Sequence, residues 1–160
     1  MQVMPYDLRQ ASPVLFLVVG PPASGKSTWV REHAKHGDIT IDYDAIASVL
    51  TPDGDSHDHA PHIKTVTKAA RQAAIDAALT LHDNHDVYVI HSSPSAGLIE
   101  HYLAHGAQII TIDPGRDVVL RRCKAERPWQ MQQAAKQWYA DHASKHQSTP
   151  SKHDRAVMQW

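Results

Sequence analysis

At 160 residues, 42% hydrophobic and 21% charged, the chain has the make-up of one ordinary globular domain with room for a sizeable core. No apolar run approaches a membrane span, MQVMPYDLRQ lacks the basic-then-apolar layout of a secretory signal, and the single cysteine, Cys123, excludes an internal disulfide, so a reducing cytoplasm is the expected location. A formal charge of −1 leaves any nucleic-acid contact to a local basic surface, and thirteen histidines make the charge sensitive to pH between about 6 and 7.

In chain order, residues 1–13 are an N-terminal extension. Residues 14–19 (VLFLVV) form a continuous apolar run suited to a central strand buried on both faces. A helix over 26–36 follows, stopped near Gly37. Ile39, Ile41 and Tyr43 alternate with Thr40 and Asp42, which predicts a second strand over 39–43. Asp44 is then a natural N-cap for a short helix through Leu50. The Pro-, Gly-, Asp- and His-rich stretch 51–62 is a loop.

Ile63, Val66, Ala70, Ala73, Ala74, Ala77 and Leu81 recur at helical spacing and give the longest helix. A third strand, VYVIH, spans 87–91, followed by a helix over 95–105 ending at Gly106 and a fourth strand over 108–112. Helices over 117–127 and 129–142 precede a polar tail, 144–160. No repeat or linker divides the chain. Strands alternating with helices imply an α/β fold: a parallel sheet of about four to five strands with helices on both faces, in a single domain over 1–160. Ligands in such sheets bind beyond the carboxyl ends of the strands.

Two phrases lie at such ends. GPPASGKSTW (20–29) fits G-x-x-x-x-G-K-S/T at every fixed position, between a strand and a helix. Loop N–H groups and the helix dipole favour phosphate there, which makes Gly20, Ala23, Ser24, Gly25, Lys26, Ser27 and Thr28 candidate nucleotide-binding positions. Lys26 can reach the β- and γ-phosphates and the Ser27 hydroxyl can ligate Mg²⁺, so ATP and Mg²⁺ are the expected cofactors. The second phrase, IDYDAIASVL (41–50), offers two carboxylates. Asp44 is a candidate for the base that accepts an acceptor hydroxyl's proton, a cap, or both; Asp42 is a structural, magnesium-binding or catalytic group. The short chain and the lack of an N-K-x-D motif favour a kinase over a GTPase.

These phrases resemble the kinase domain of bacteriophage polynucleotide kinase, within the wider family of P-loop kinases. The resemblance spans roughly residues 14–127. It implies a P-loop kinase-type sheet with a helical lid, and puts the general base toward a 5′-hydroxyl on Asp44. In DPGRDVVLRRCKAERP (113–128) it implies that Arg122 and Arg127 are lid arginines for the ATP phosphates, with Arg121 on the surface. Two departures stand out. The position of the family's acceptor-phosphate arginine, three beyond the base, is Ala47, so another cation has to substitute or the acceptor presents a different group. The third strand ends in His91, Ser92 and Ser93 where an acidic residue near the metal is usual.

Other features are read more plainly. His57, Asp58, His59 and His62 match no zinc spacing and suit a solvated loop. Lys64, Lys68 and Arg71 share a helix face, either the wet side of that helix or a track for a nucleic-acid backbone. Trp129, Trp138 and Tyr139 are expected in a core or interface; Trp160 stays unassigned. The expectation is an ATP-dependent phosphotransferase acting on a hydroxyl, with a polynucleotide 5′-hydroxyl or a hydroxymethylated DNA base as acceptor. Nucleic acid is then the partner and, if the chain is phage-encoded, the host cytoplasm the location. The alternatives are a small-molecule kinase and a partner-dependent ATPase or switch.

Overall fold

A computed structural model describes residues 12–54, 58–81, 84–126 and 129–146. Arg127, His57, Trp160 and the tail beyond residue 146 lie outside them. The chain divides into two compact units, Met1–Gly20 with Gly25–Ile112, and Pro21–Ser24 with Asp113–Trp160.

The first unit is built on a four-stranded parallel sheet ordered β2-β3-β1-β4, with β1 Leu15–Val19, β2 Ile39–Ile41, β3 Val87–His91 and β4 Gln108–Thr111. Alternation sorts the strand side chains between two cores. On one face Leu17, Ile41, Val87 and Val89 pack with Ile75 and Ala78 of α3 (Pro61–Thr80) and Tyr102 of α4 (Ala96–Ala104). On the other, Val18, Tyr88 and Ile90 pack with Val30 of α1 (Lys26–His33). Helices therefore cover both faces, as the near-continuous apolar strands require. Leu17, Val18 and Val89 are wholly buried, worth about 1.5–3 kcal/mol each.

The amino edge of this sheet is laced by carboxylates. Asp86 Oδ1 accepts from Val14 N at 2.7 Å, and Asp38 Oδ1 from Asp86 N at 3.1 Å. A pocket lined by Val14, Leu81, His85, Val87 and His105 lies at that same edge, at the opposite strand ends from the two sequence phrases. Helix α1 ends at His33 rather than near Gly37, because Ala34 is already extended. Gly37 (φ 92) makes the turn into β2, and a Cβ there would lie 3.0 Å from His85 Cε1.

The main correction concerns the second strand, which stops at Ile41 instead of running to Tyr43. Asp42 stays extended and caps α2 (Tyr43–Val49), its Oδ1 accepting from Asp44 N at 3.1 Å. The cap is thus Asp42, and Asp44 sits inside the first turn. An Asx cap outcompetes two more strand residues because it satisfies a helix donor that would otherwise be orphaned.

The second unit contains α5 (Arg116–Glu126) and α6 (Trp129–His146). Val119, Cys123 and Ala135 form its core, with Ala23, Leu120 and Tyr139 against them. Tyr139 Oη donates to Asp113 Oδ1 at 2.5 Å, and burial first, then this bond, raises its pKa. Trp138 is buried and stacks on His142. Trp129, expected in a core or interface, is 67% exposed and so does not belong to this core. No helix among the described residues is long and apolar enough to cross a membrane.

Candidate active site

The order β2-β3-β1-β4 sends the chain from β1 across β3 to β2, and later from β3 across β1 to β4. The direction reverses between β1 and β3, so their carboxyl ends open the crevice where such sheets take ligands. Register puts Val19 opposite His91 and Ile41 opposite Val89. The residues that follow, Gly20 after β1 and Asp42 after β2, lie on this edge together with His91.

Helix α1 starts directly after Gly25, whose φ of 98 is left-handed, and its free N–H groups and dipole make a site for anions. Lys26 is only 8% exposed, and its Nζ donates to Gly20 O at 2.9 Å, which folds the ammonium back along the loop. Ser27 Oγ donates to Asp42 Oδ2 at 2.6 Å, so α1 and the entry to α2 are tied by a hydroxyl–carboxylate bond. Asp42 spends its two oxygens on two different elements.

Asp44 is half-buried in the first turn of α2, where negative charge is favoured, and its carbonyl accepts from Ser48 Oγ at 2.8 Å. Burial, then the Asp44 charge, pushes the Tyr43 phenol above its ordinary pKa. Ala47 is fully buried, so this helix position faces the core and an arginine there would have to enter it. Thr28 is exposed on α1.

Within the second unit, Ala23 carries a left-handed φ of 59, and Arg122 Nη1 donates to its carbonyl at 3.3 Å. Cys123 Sγ contacts Pro22 O at 3.6 Å, and Ser24 Oγ is buried without a hydrogen-bond partner. Arg121 is exposed, as expected.

Arg71 does not share one face with Lys64 and Lys68: those lysines are exposed, whereas Arg71 lies on the inward stripe of α3 with Thr67, Ile75 and Ala78. Its Nη2 donates to Ile90 O at 2.8 Å, one residue past the last β2–β3 pair. The spacing Thr67–Arg71–Ile75–Ala78 fits this face, although Lys64–Lys68–Arg71 fits the wet face by the same periodicity. Burial lowers the Arg71 pKa, while Tyr102 and Asp42 pull it back up. His91, also half-buried, has its pKa pushed down to about 4 by burial, then by the charges of Arg71 and Lys26, so it is neutral at pH 7. Its Nδ1 is buried and lacks a hydrogen-bond partner.

In the histidine loop Asp58 and His62 are exposed, but His59 departs from the solvated expectation: it is 6% exposed with its Nε2 unpartnered. No three metal-binding side chains cluster among the described residues.

A parallel sheet in this order, with G-x-x-x-x-G-K-S leading from its first strand into its first helix, defines a P-loop domain of the NTPase and kinase type. The chain belongs to the AAA_33 family of AAA domains, which it matches over residues 15–142. A chain in the Pnkp1/Rnl/Hen1 RNA repair complex is similar to it with a TM-score of 0.62 at 17% identity, over 87% of this chain and 47% of that one. A chain in a Pnkp1/Rnl/Hen1 complex is similar with a TM-score of 0.52 at 18% identity, over 70% and 39%. Such identities establish likeness of fold, and the chain spans less than half of either neighbour. No curated protein matches it in sequence. Family and fold together make it a nucleotide-binding domain of the P-loop NTPase and kinase type.

Proposed function

We propose that the chain transfers the γ-phosphoryl group of ATP to a hydroxyl acceptor, a polynucleotide 5′-hydroxyl or a hydroxymethylated base in DNA. One observation carries this reading: the Ser27–Asp42 bond, which sets a metal-capable oxygen pair beside the α2 turn that holds Asp44. Serine hydroxyl and carboxylate are the hard oxygen donors that Mg²⁺ prefers, so Ser27 and Asp42 fit the metal, directly or through water. Lys26 and the start of α1 fit the nucleotide phosphates, with Gly20, Ala23, Ser24, Gly25 and Thr28 forming the rest of the loop. When bound, Mg²⁺ neutralises charge on the phosphate oxygens.

Asp44 accepts the acceptor's hydroxyl proton as that oxygen bonds to the γ-phosphorus and the bridging oxygen leaves with ADP. Neutral His91 adds no charge to this edge. The roles of Arg122 and Arg127 on the phosphates rest on the sequence resemblance. A nucleic-acid acceptor is favoured because chains of the same fold occur in an RNA repair complex. The cytoplasm, with its ATP and reduced thiols, is the compartment that suits this reaction. A second reading, a small-molecule kinase, draws on the burial of Ala47, which denies α2 an outward arginine.

The test is transfer from γ-labelled ATP to 5′-hydroxyl DNA and RNA oligomers, hydroxymethyluracil DNA, nucleosides and nucleotides. Label on an oligomer, reduced ~10²–10⁴-fold in Asp44→Asn, supports the proposal. Label confined to small acceptors removes the polymer. ADP release that ignores every acceptor and survives Asp44→Asn removes phosphotransfer altogether.

A further inference from the structure

Among the described residues, the guanidinium of Arg71 has one hydrogen-bond partner, the Ile90 carbonyl, and no carboxylate within ion-pair distance. A half-buried arginine in that state is an electrostatic liability, since the Ile90 carbonyl and the more distant Tyr102 and Asp42 offset the desolvation of its charge only in part. Its location is equally specific. Ile90 O lies at the carboxyl edge of β3, one residue past the Ile41–Val89 pair, and Asp42 is the residue after Ile41. Arg71 and Asp42 sense each other's charge, and both Arg71 and Lys26 act on His91. The guanidinium therefore stands on the same edge as the Ser27–Asp42 pair, reached from α3, the helix that follows the histidine loop. Four of its five N–H donors are not used on Ile90.

We propose that Arg71 binds an anionic substituent of the acceptor, a phosphate ester adjacent to the hydroxyl that is phosphorylated. Arginine suits this because its planar fork meets two phosphate oxygens at once. The buried face of Ala47 gives the assignment its economy: α2 offers no outward cation at that position, while α3 presents one from the neighbouring direction. The proposal rests on the phosphotransferase reading and narrows it to acceptors that carry their own phosphate. This distinguishes a polynucleotide end, or a nucleoside 3′-phosphate, from a free nucleoside or sugar.

The experiment is calorimetric binding of thymidine 3′-monophosphate and of thymidine to the full chain, with Mg²⁺ and a saturating non-hydrolysable ATP analogue present. Wild type is expected to favour the phosphorylated ligand by about 10- to 100-fold, the worth of one or two charge-assisted hydrogen bonds. Arg71→Met is expected to erase that preference and Arg71→Lys to retain part of it, with affinity for the ATP analogue unchanged in both. Arg71→Gln, which keeps a donor for Ile90 while removing the charge, repeats the test if the methionine variant folds poorly. No preference in wild type, including no binding of either ligand, overturns the proposal. So does a preference that survives in Arg71→Met and Arg71→Gln, or a loss confined to the ATP analogue. Transfer assays judge the broader reading independently: an intact binding ratio without transfer to any hydroxyl sinks the phosphotransferase and leaves Arg71 as an anion site.

Discussion

Asp42 performs two separable jobs, and two substitutions should pull them apart. Asp42→Ala removes the cap on Asp44 N and the acceptor for Ser27 Oγ. Loss of an N-cap costs about 1 kcal/mol and loss of the second bond about as much, for a total of roughly 2 kcal/mol. In a chain of this size that lowers Tm by about 4–8 °C. Asp42→Asn keeps Oδ1 as acceptor for Asp44 N and puts an amide NH2 where Oδ2 stood, which can donate to Ser27 Oγ once that hydroxyl rotates, so its stability should lie within about 0.5 kcal/mol of wild type. The charge is lost in both, and the Mg²⁺ concentration for half-maximal transfer should rise about 10- to 100-fold in each. Urea unfolding measures the first effect and a metal titration of labelled transfer the second. Equal destabilisation by Asn and Ala, or a Mg²⁺ requirement that neither variant moves, would refute the division of labour argued from the two oxygens.

Asp44→Asn should lose no more than about 0.3–1 kcal/mol, the macrodipole contribution of a first-turn charge, while transfer falls ~10²–10⁴-fold; an activity loss that merely tracks unfolding removes Asp44 as base. His91 has a folded pKa of about 4, below its ordinary 6.5. The unfolded chain therefore binds its proton first, so the His91 contribution to stability is complete above about 6.5 and is lost as pH falls toward 4. Urea unfolding at pH 7 and pH 5 should show a smaller drop for His91→Gln than for wild type, and an equal drop would remove the buried-histidine account. Trp138→Ala, in the second unit, should cost about 3–5 kcal/mol, whereas Trp129→Ala should stay within about 0.5 kcal/mol by the same measurement.

Strands β1 and β3 and the phosphate loop were legible because each has a strong local cause: an unbroken apolar run, or a motif with every position occupied. The Ile39–Tyr43 alternation was equally regular yet misleading, since period-two patterning continues past the point where an Asx cap turns the chain. Arg71 was obscured differently. Counting from Lys64 puts it with lysines on a wet face, while counting from Thr67 puts it inward, and only packing decides between the two stripes. His59 is buried although its neighbours are polar, which composition cannot foretell. Arg122 contacts a loop residue 99 positions earlier in sequence, and no local pattern announces such a contact.

The carboxylates of the sheet are divided between its two rims. Asp38 and Asp86 fasten backbone at the amino rim, whereas Asp42 and Asp44 stand at the carboxyl rim. Natural variation should therefore register in two currencies. Changes at the amino rim alter how much folded protein a cell retains, with the specific activity of each surviving molecule intact. Changes at the carboxyl rim alter what each molecule does, and only at Asp42, which also caps α2, do they lower abundance as well. A lineage acquiring a new acceptor has the second rim to rewrite while the first holds the fold above its stability threshold.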